Sequence, residues 1–292
     1  MKEIPSLPFG GEHQDPESAF CVLLPVPYER TTTYRKGTAQ GPAAMLEASA
    51  QVELFDEETR TEPLDRGVAT LPSISTGAMP DLLAERLETD VGSWLDQGKL
   101  VGCLGGEHSV SLGPIRAAAR RHPGIGILQI DAHPDLRDSY EGTRYGHGCV
   151  MRRALDDERI GALVQVGLRA VSDEDDAAMR SDGRIRPYYA FDLARRDRIA
   201  WVDEIVDSLP ERVYLSFDLD GLDPSIIPGT GTPEPGGLGW WDTLALLRTL
   251  FEKRKVVAFD VVELLPEPPS YVSDFAAAHL VFKILAYAAA SI

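Results

Sequence analysis

Short runs of Val, Ile and Leu alternate with longer amphipathic segments along most of the chain. Six of these runs have the length of strands: residues 19–26, 99–104, 124–130, 162–168, 212–217 and 255–262. They are apolar throughout rather than at every second position, which is typical of strands buried on both faces of a parallel sheet. Helices are predicted between them at 41–55, 79–97, 111–122, 201–209 and 239–254, with a last helix at 273–292. This alternation predicts an α/β fold, a three-layer α/β/α sandwich around a mainly parallel sheet.

Length and charge narrow the classes of protein to which the chain can belong. Its 292 residues are enough for one large α/β domain. Because no linker, internal repeat or low-complexity segment divides them, we expect a single domain over residues 1–292. The net charge of −17 argues against a nucleic-acid partner, which needs a basic surface. The same charge mildly favours a cationic ligand.

Cysteine usage and the lengths of the apolar runs indicate where such a protein resides. The three cysteines are odd in number and have no CxxC spacing, so a reducing compartment suits them better than a disulfide framework. The first residues contain no apolar run of the kind found in signal peptides. No apolar run is expected to reach the length of a membrane span. We therefore expect a cytoplasmic protein without membrane contact.

Polar clusters follow four of the predicted strands. They contain His108 in GGEHS, Asp131, His133 and Asp135 in DAHPD, Asp218 and Asp220 in DLDGLDP, and Glu263 in VVELLP. In open parallel sheets, ligands bind just beyond the carboxyl ends of the strands. We therefore expect these distant segments to meet at one edge of the sheet.

Carboxylates held this close to one another repel, so a positive group must lie between them. Two histidines and four aspartates form an oxygen-rich set without thiolate, which suits Mn²⁺ better than structural Zn²⁺, Mg²⁺ or Ca²⁺. One ion that also binds water is not normally coordinated by as many as six protein ligands. Two ions about 3.5 Å apart would use all six, and their charge would balance the four aspartates.

Each motif also has an ordinary structural interpretation when it is taken alone. GGEHS could be a turn followed by a helix that Ser109 caps, and Asp218 and Asp220 could be turn residues. The three alternating residues of DAHPD are harder to explain in that way. Because every cluster follows a strand, the set as a whole favours a metal site. The sequence contains no phosphate-binding GxxxxGK[ST] loop and no HExxH motif.

The motifs GGEHS, DAHPD, SFDLDGLDPSIIPGTGTPEPGGL and FDVVEL, in this order, resemble those of the ureohydrolase family of arginases and agmatinases. The resemblance extends from GPAAMLEAS near residue 41 to the last helix. It implies an arginase-like fold, a centre of two Mn²⁺ ions per chain and a homotrimer or hexamer. It assigns one ion to His108, Asp131, Asp135 and Asp218, and the other to Asp131, His133, Asp218 and Asp220.

The resemblance also implies roles for three catalytic residues. Glu263 matches the carboxylate that pairs with a guanidinium, and His147 in YGHGCVMRRA matches the family's active-site histidine. Metal ions lower the pKa of water and so supply a nucleophile for a poorly electrophilic guanidinium carbon. Glu263 would orient that carbon, Asp135 would relay a proton, and His147 would shuttle a proton between solvent and the leaving amine.

The substrate is the least constrained part of the prediction. Arginases hold an α-carboxylate with an Asn two residues after the DAHxD motif, and this chain has Arg137 there. The segment resembles the agmatinase branch, which predicts agmatine, a small cationic guanidino compound cleaved to putrescine and urea. If Arg137 or Arg144 points into the pocket, a guanidino acid such as 4-guanidinobutyrate is favoured instead. Aminopropylagmatine, guanidine and arginine are further alternatives.

Two other functions are less consistent with these residues. Metal-dependent deacetylases share the fold but use one Zn²⁺ and fewer carboxylates. A non-catalytic metal-binding homologue would be expected to have lost a ligand, His147 or Glu263, and none of them is lost.

Overall fold

A single sheet of eight strands organises the computed structural model, which describes residues 7–74 and 77–291. The strands are β1 (Cys21–Val26), β2 (Val68–Thr70), β3 (Leu100–Gly105), β4 (Ile125–Ile130), β5 (Ile160–Leu168), β6 (Ile185–Tyr189), β7 (Arg212–Asp218) and β8 (Lys255–Val262). Their order is β2-β1-β3-β8-β7-β4-β5-β6, and each neighbouring pair is parallel.

Helices cover both faces of this sheet. They are α1 (Gly41–Ser49), α2 (Pro80–Asp96), α3 (Leu112–Arg121), α4 (Val150–Leu155), α5 (Asp173–Ser181), α6 (Ala190–Leu193), α7 (Arg198–Asp207), α8 (Trp240–Lys253) and α9 (Val272–Ala290). Apolar side chains of α1, α7, α8 and α9 pack into one core cluster, and those of α2, α3 and α4 pack into a second one. The predicted three-layer α/β/α sandwich is therefore confirmed.

All six predicted strands are present, and two further strands lie at the edges of the sheet. β2 has three residues, and β6 contains Pro187 and is only partly buried. Edge strands pair on one side only and tolerate proline, so they need no continuous apolar run. Helices α4, α5 and α6 are also additional to the predicted ones, and α1 ends at Ser49 rather than at residue 55. Ile292, the last residue of the predicted C-terminal helix, lies outside the described residues.

Helix α9 is long and apolar enough to cross a membrane, contrary to the expectation that no run reaches that length. However, 78% of its apolar window is buried inside the protein, as in the core helix of a globular fold. Its Lys283 is buried and its Nζ lies 2.6 Å from Asp56 Oδ2. The apolar composition of α9 therefore reflects its packing against α1, α8 and β8.

The four strands that precede the polar clusters, β3, β8, β7 and β4, are consecutive neighbours in the sheet. Their register brings their last residues to a common level, because Phe217 pairs with both Ile130 and Val261, and Val261 pairs with Leu104. The strands are parallel, so their carboxyl ends share one edge. The residues that follow them consequently converge on one place.

Candidate active site

Side chains from all four central strands meet at the carboxyl edge of the sheet. His108 opens a short 3-10 helix after β3, Asp131 follows β4, Asp218 ends β7 and Glu263 follows β8. Gly106 lies between β3 and His108, where an added Cβ would approach Tyr28 O to 2.0 Å. The GG pair thus allows the chain to pass close to its neighbour as it enters the site.

His108 lies among three aspartates and is almost completely buried. Its Nδ1 is 2.9 Å from Asp135 Oδ2, 3.2 Å from Asp131 Oδ2 and 3.3 Å from Asp218 Oδ2. Among the described residues this nitrogen makes no hydrogen bond of good geometry. One buried nitrogen therefore faces three carboxylate oxygens.

His133 forms the second half of the cluster. Its Nδ1 lies 2.9 Å from Asp220 Oδ2 and 3.6 Å from Asp131 Oδ1. Ligand atoms of His108, Asp131 and Asp218 form one group that could hold an ion, and those of Asp131, His133 and Asp220 form another. Asp131 is common to both groups. We call the six predicted ligands the site floor: His108, Asp131, His133, Asp135, Asp218 and Asp220.

Hydrogen bonds around His108 determine which of its nitrogens is free. Its Nε2 is 3.0 Å from Ser216 Oγ, and that hydroxyl donates to Asp260 at 3.0 Å. Because the Ser216 proton is directed to the carboxylate, Nε2 is the donor, and in the neutral ring Nδ1 carries a lone pair. A lone pair facing carboxylate oxygens is repulsive without a cation, whereas it is the arrangement of a metal ligand. The site floor therefore fits a metal ion.

The ionisable groups of the site floor shift one another's pKa values in both directions. Burial acts to raise the pKa of Asp131, but His108 and His133 lower it. Burial, followed by the charge of Asp131, raises the pKa of Asp135 to about 7. Burial and the charges of Asp220 and Asp131 raise the pKa of Asp218 well above its usual value. These directions mean that four charged aspartates are not stable together without positive charge between them.

Two of the predicted site residues adopt backbone conformations that L-residues rarely use. Asp135 has a φ of 54° and Glu263 a φ of 66°. In the described part of the chain, only two other non-glycine residues, Arg60 and Glu141, have positive φ. Such conformations persist where the surrounding structure enforces them, and they are frequent at functional sites.

Glu263 lies beside the site floor and does not belong to either metal-binding group. His108 N donates to its Oε1 at 2.7 Å, and its own N donates to Gly106 O at 2.8 Å. Burial raises the pKa of this carboxyl well above its usual value. Because Glu263 also lines the cavity, a cation that enters the cavity would find a desolvated carboxylate there.

His147, the first residue of a short 3-10 helix, lines the same cavity. Its backbone N donates to Thr31 Oγ1 at 3.0 Å, and its ring packs edge-on against Tyr140, with centroids 5.7 Å apart. Burial lowers the pKa of His147, although Glu107 opposes this effect. The structure thus brings all eight predicted site residues into or around one cavity.

The outer wall of the cavity is formed by Tyr34, Arg35, Arg137 and Tyr140, which we call the cavity rim. Arg35 forms an ion pair with Glu267. The Arg137 guanidinium lies over the Tyr140 ring at 4.2 Å from its centroid, and forms no ion pair with any described residue. Arg144 is absent from the cavity lining and lies 2.8 Å from Asp138. The two arginines that the sequence places in one loop therefore have different surroundings.

Several residues that support the site are not among the predicted ones. They are Thr31, Glu107, Gln129, Ser216 and Asp260. Gln129, Ser216 and Asp260 each interrupt an otherwise apolar strand, and a buried polar residue inside a strand needs a hydrogen-bond partner. That interruption is a usable signal, although it does not identify the partner.

Comparison with known proteins agrees with this geometry. The profile of the arginase family matches residues 19–287. The chain belongs to the arginase family. The N(1)-aminopropylagmatine ureohydrolase of Synechocystis sp. is 40% identical over 278 residues, which cover 92% of this chain and 89% of that protein. The agmatinase of Pyrococcus horikoshii is 33% identical over 283 residues, which cover 94% of each chain.

A solved structure gives the same result for the fold. The agmatine ureohydrolase of Thermoplasma volcanium superposes with a TM-score of 0.85 at 30% identity, covering 99% of this chain and 94% of that one. The predicted family and arginase-like fold are confirmed. This arginase-family member is a ureohydrolase, a hydrolase that acts on guanidino C–N bonds, and its His/Asp cluster fits a metal site.

Proposed function

We propose that this ureohydrolase binds two Mn²⁺ ions on the site floor and hydrolyses the guanidino group of agmatine or of N1-aminopropylagmatine. The observation that carries this proposal is the pair of metal-binding groups that share Asp131 and lie in one cavity with Glu263. The oxygen-rich ligand set without thiolate favours Mn²⁺ over Zn²⁺. His108, Asp131, Asp135 and Asp218 would hold one ion, and Asp131, His133, Asp218 and Asp220 the other.

The ions, when bound, lower the pKa of water and supply the nucleophile. The carboxylate of Glu263 binds the guanidinium by charge-assisted hydrogen bonds and orients its carbon towards the site floor. Asp135 Oδ accepts the proton that the attacking water gives up and relays it to the leaving amine. His147 delivers a proton to the amine nitrogen as its bond to carbon breaks, so urea and a primary amine leave.

The substrate assignment depends on charge and on the relatives. The chain carries a net charge of −17, and Glu263 places a buried carboxylate in the cavity for one end of a dication. The relatives reported above are named for agmatine or its aminopropyl derivative. Arg144 pairs with Asp138 outside the cavity and does not oppose the distant ammonium.

One observation favours a second candidate substrate, a guanidino acid such as 4-guanidinobutyrate. Arg137 lines the cavity and forms no ion pair with a described residue, so its guanidinium could receive a carboxylate. The same charge would repel the far ammonium of agmatine. The two candidates therefore make opposite predictions for Arg137.

The test is urea release by the Mn²⁺-loaded protein from agmatine, N1-aminopropylagmatine, 4-guanidinobutyrate, guanidine and arginine. We expect the highest kcat/KM for agmatine or its aminopropyl derivative, and low values for arginine. A highest value for 4-guanidinobutyrate would replace the substrate assignment and leave the chemistry intact. No urea from any compound, with two ions bound, would contradict the proposed function itself.

A further inference from the structure

Glu107 is a fully buried carboxylate with no role in the chemistry described above. Its Oε2 accepts hydrogen bonds from the backbone N of Arg30 and of Thr31, each at 2.6 Å. Its Oε1 accepts from Thr31 Oγ1 at 2.7 Å and from Ser109 Oγ. A carboxylate has about four lone-pair sites, and these donors use all of them. Glu107 can only accept, so the Thr31 hydroxyl proton points towards it.

The direction of the Thr31–Glu107 hydrogen bond determines which nitrogen of the His147 ring carries the proton. The Thr31 hydroxyl has one proton, which it gives to Glu107, and two lone pairs, which remain for acceptance. One lone pair receives the backbone N–H of His147 at 3.0 Å, and the other faces His147 Nδ1 at 3.2 Å. Since Thr31 has no second proton, Nδ1 must be the donor in this contact. The neutral ring therefore carries its proton on Nδ1.

We propose that Thr31 and Glu107 are positioning residues for His147: they hold the proton on Nδ1, so that Nε2 alone exchanges protons with the cavity. The proposal rests on the proposed function, in which His147 protonates the leaving amine. If the neutral ring carried its proton on Nε2, that nitrogen would have no lone pair. It could then not take up a proton from the cavity to replace one that it gives away. The Glu107–Thr31–His147 chain excludes that state by hydrogen-bond direction, without contact with the substrate.

Two nearly isosteric changes perturb the chain in different ways. Thr31→Val removes the hydroxyl and leaves Nδ1 without a fixed partner. Glu107→Gln reverses the chain: the amide oxygen stays with the two backbone N–H donors, so the amide nitrogen faces Thr31 and donates to it. The Thr31 hydroxyl must then donate to Nδ1, which forces the proton of the neutral ring onto Nε2.

We expect each change to lower kcat about 10- to 100-fold, the usual cost of losing a partner that orients a functional histidine. KM for the guanidino substrate and the Mn²⁺ content should stay within about twofold of wild type, because Glu263 and the site floor are intact. Thr31→Ser keeps the hydroxyl and should retain kcat within about threefold. Thr89→Val makes the same chemical change on the exposed face of α2 and should have no effect.

The decisive measurement is a double-mutant cycle with His147→Asn. If Thr31 acts through His147, then Thr31→Val lowers kcat in the wild-type background and changes it less than twofold when His147 is absent. A role in folding alone would instead give equal losses in both backgrounds, together with a lower Tm, and would overturn the proposal. Unchanged kcat in Thr31→Val would also overturn it. If the wild-type protein itself releases no urea, the proposed function is contradicted. That outcome differs from the two results that overturn the role of Thr31, because both of them require an active wild-type protein.

Discussion

The site floor and the cavity rim differ in burial and in how their charges are held. On the site floor, Asp131 is 0% exposed and Asp218 is 4% exposed, and their oxygens contact histidine nitrogens and backbone amides. On the cavity rim, Tyr34 is 75% exposed, and the Arg137 guanidinium stacks on Tyr140 without an ion pair to any described residue. Charges are weakly screened in the floor and strongly screened at the rim.

We infer from this difference that the site floor carries out the hydrolysis and that the cavity rim selects among guanidino substrates. The residues of the site floor follow strands in the centre of the sheet, where neighbouring strands fix the backbone on both sides. The rim residues lie on loops, which can change without disturbing the sheet. We therefore expect substitutions in the floor to abolish turnover for every guanidino compound, and substitutions in the rim to change the ratio between compounds.

The largest effect is expected for Asp131→Asn. Asp131 belongs to both metal-binding groups, so its loss should reduce the bound Mn²⁺ to one ion or none. Turnover should fall well beyond the roughly 10- to 100-fold cost of losing a residue outside the ligand set. Metal analysis and urea release on the same sample measure both effects. Asp176→Asn, on the surface of α5, is the control, and two retained ions in Asp131→Asn would contradict the assignment.

Glu263→Gln should give a smaller but still severe loss. The amide keeps the shape of the side chain but not its charge, so the guanidinium loses its partner and its orientation. We expect kcat/KM to fall about 100-fold or more, with Mn²⁺ content near that of wild type. If this variant loses metal, Glu263 is itself a metal ligand and belongs to the site floor.

Metal removal should destabilise the floor in a pH-dependent manner. In the metal-free protein, the folded-state pKa of Asp135 is raised to about 7, from 3.8 for the unconstrained group. Between these values the folded state binds a proton that the unfolded state has released, so stability falls as pH rises, up to about pH 7. Saturating metal at about 100 times Kd adds about 2.7 kcal/mol, or roughly 4–5 °C in Tm for a chain of this length.

The gain in Tm on adding Mn²⁺ should therefore be larger at pH 8 than at pH 5, where protons compete with the metal. Thermal unfolding with and without chelator at both pH values measures it. An equal gain at both pH values would show that the carboxylates of the floor are ionised in the metal-free protein.

The smallest effect is expected at the rim. Arg137→Ala should raise the ratio of kcat/KM for agmatine to that for 4-guanidinobutyrate by up to roughly 30-fold. One charge about 4 Å away contributes about 1 kcal/mol in water, and because its loss favours agmatine and disfavours the guanidino acid, two such contributions add. Arg144→Ala is the matched control, because Arg144 pairs with Asp138 outside the cavity. An equal shift in both variants would mean that general charge, rather than the position of Arg137, sets the ratio.

The sequence alone predicted the layers of the fold and a candidate ligand set. Apolar runs of strand length and the residues directly after them are local features, so the pattern of residues suffices to assign His108, Asp131, Asp218 and Glu263 to strand ends. The edge strands β2 and β6 escape such an assignment, because strands that pair on one side need no apolar signature. Nor does the sequence order reveal that β3, β8, β7 and β4 are neighbours.

Only the tertiary structure decided which way the hydrogen bonds run and where the arginines point. Thr31 and His147 are 116 positions apart, and Thr31 and Glu107 are 76 apart, so no local pattern links them. Arg137 and Arg144 have the same chemistry and lie in one loop, yet one lines the cavity and the other pairs outside it. Residue type and spacing restrict what a site can bind, whereas proton position and side-chain direction depend on neighbours that only the folded chain supplies.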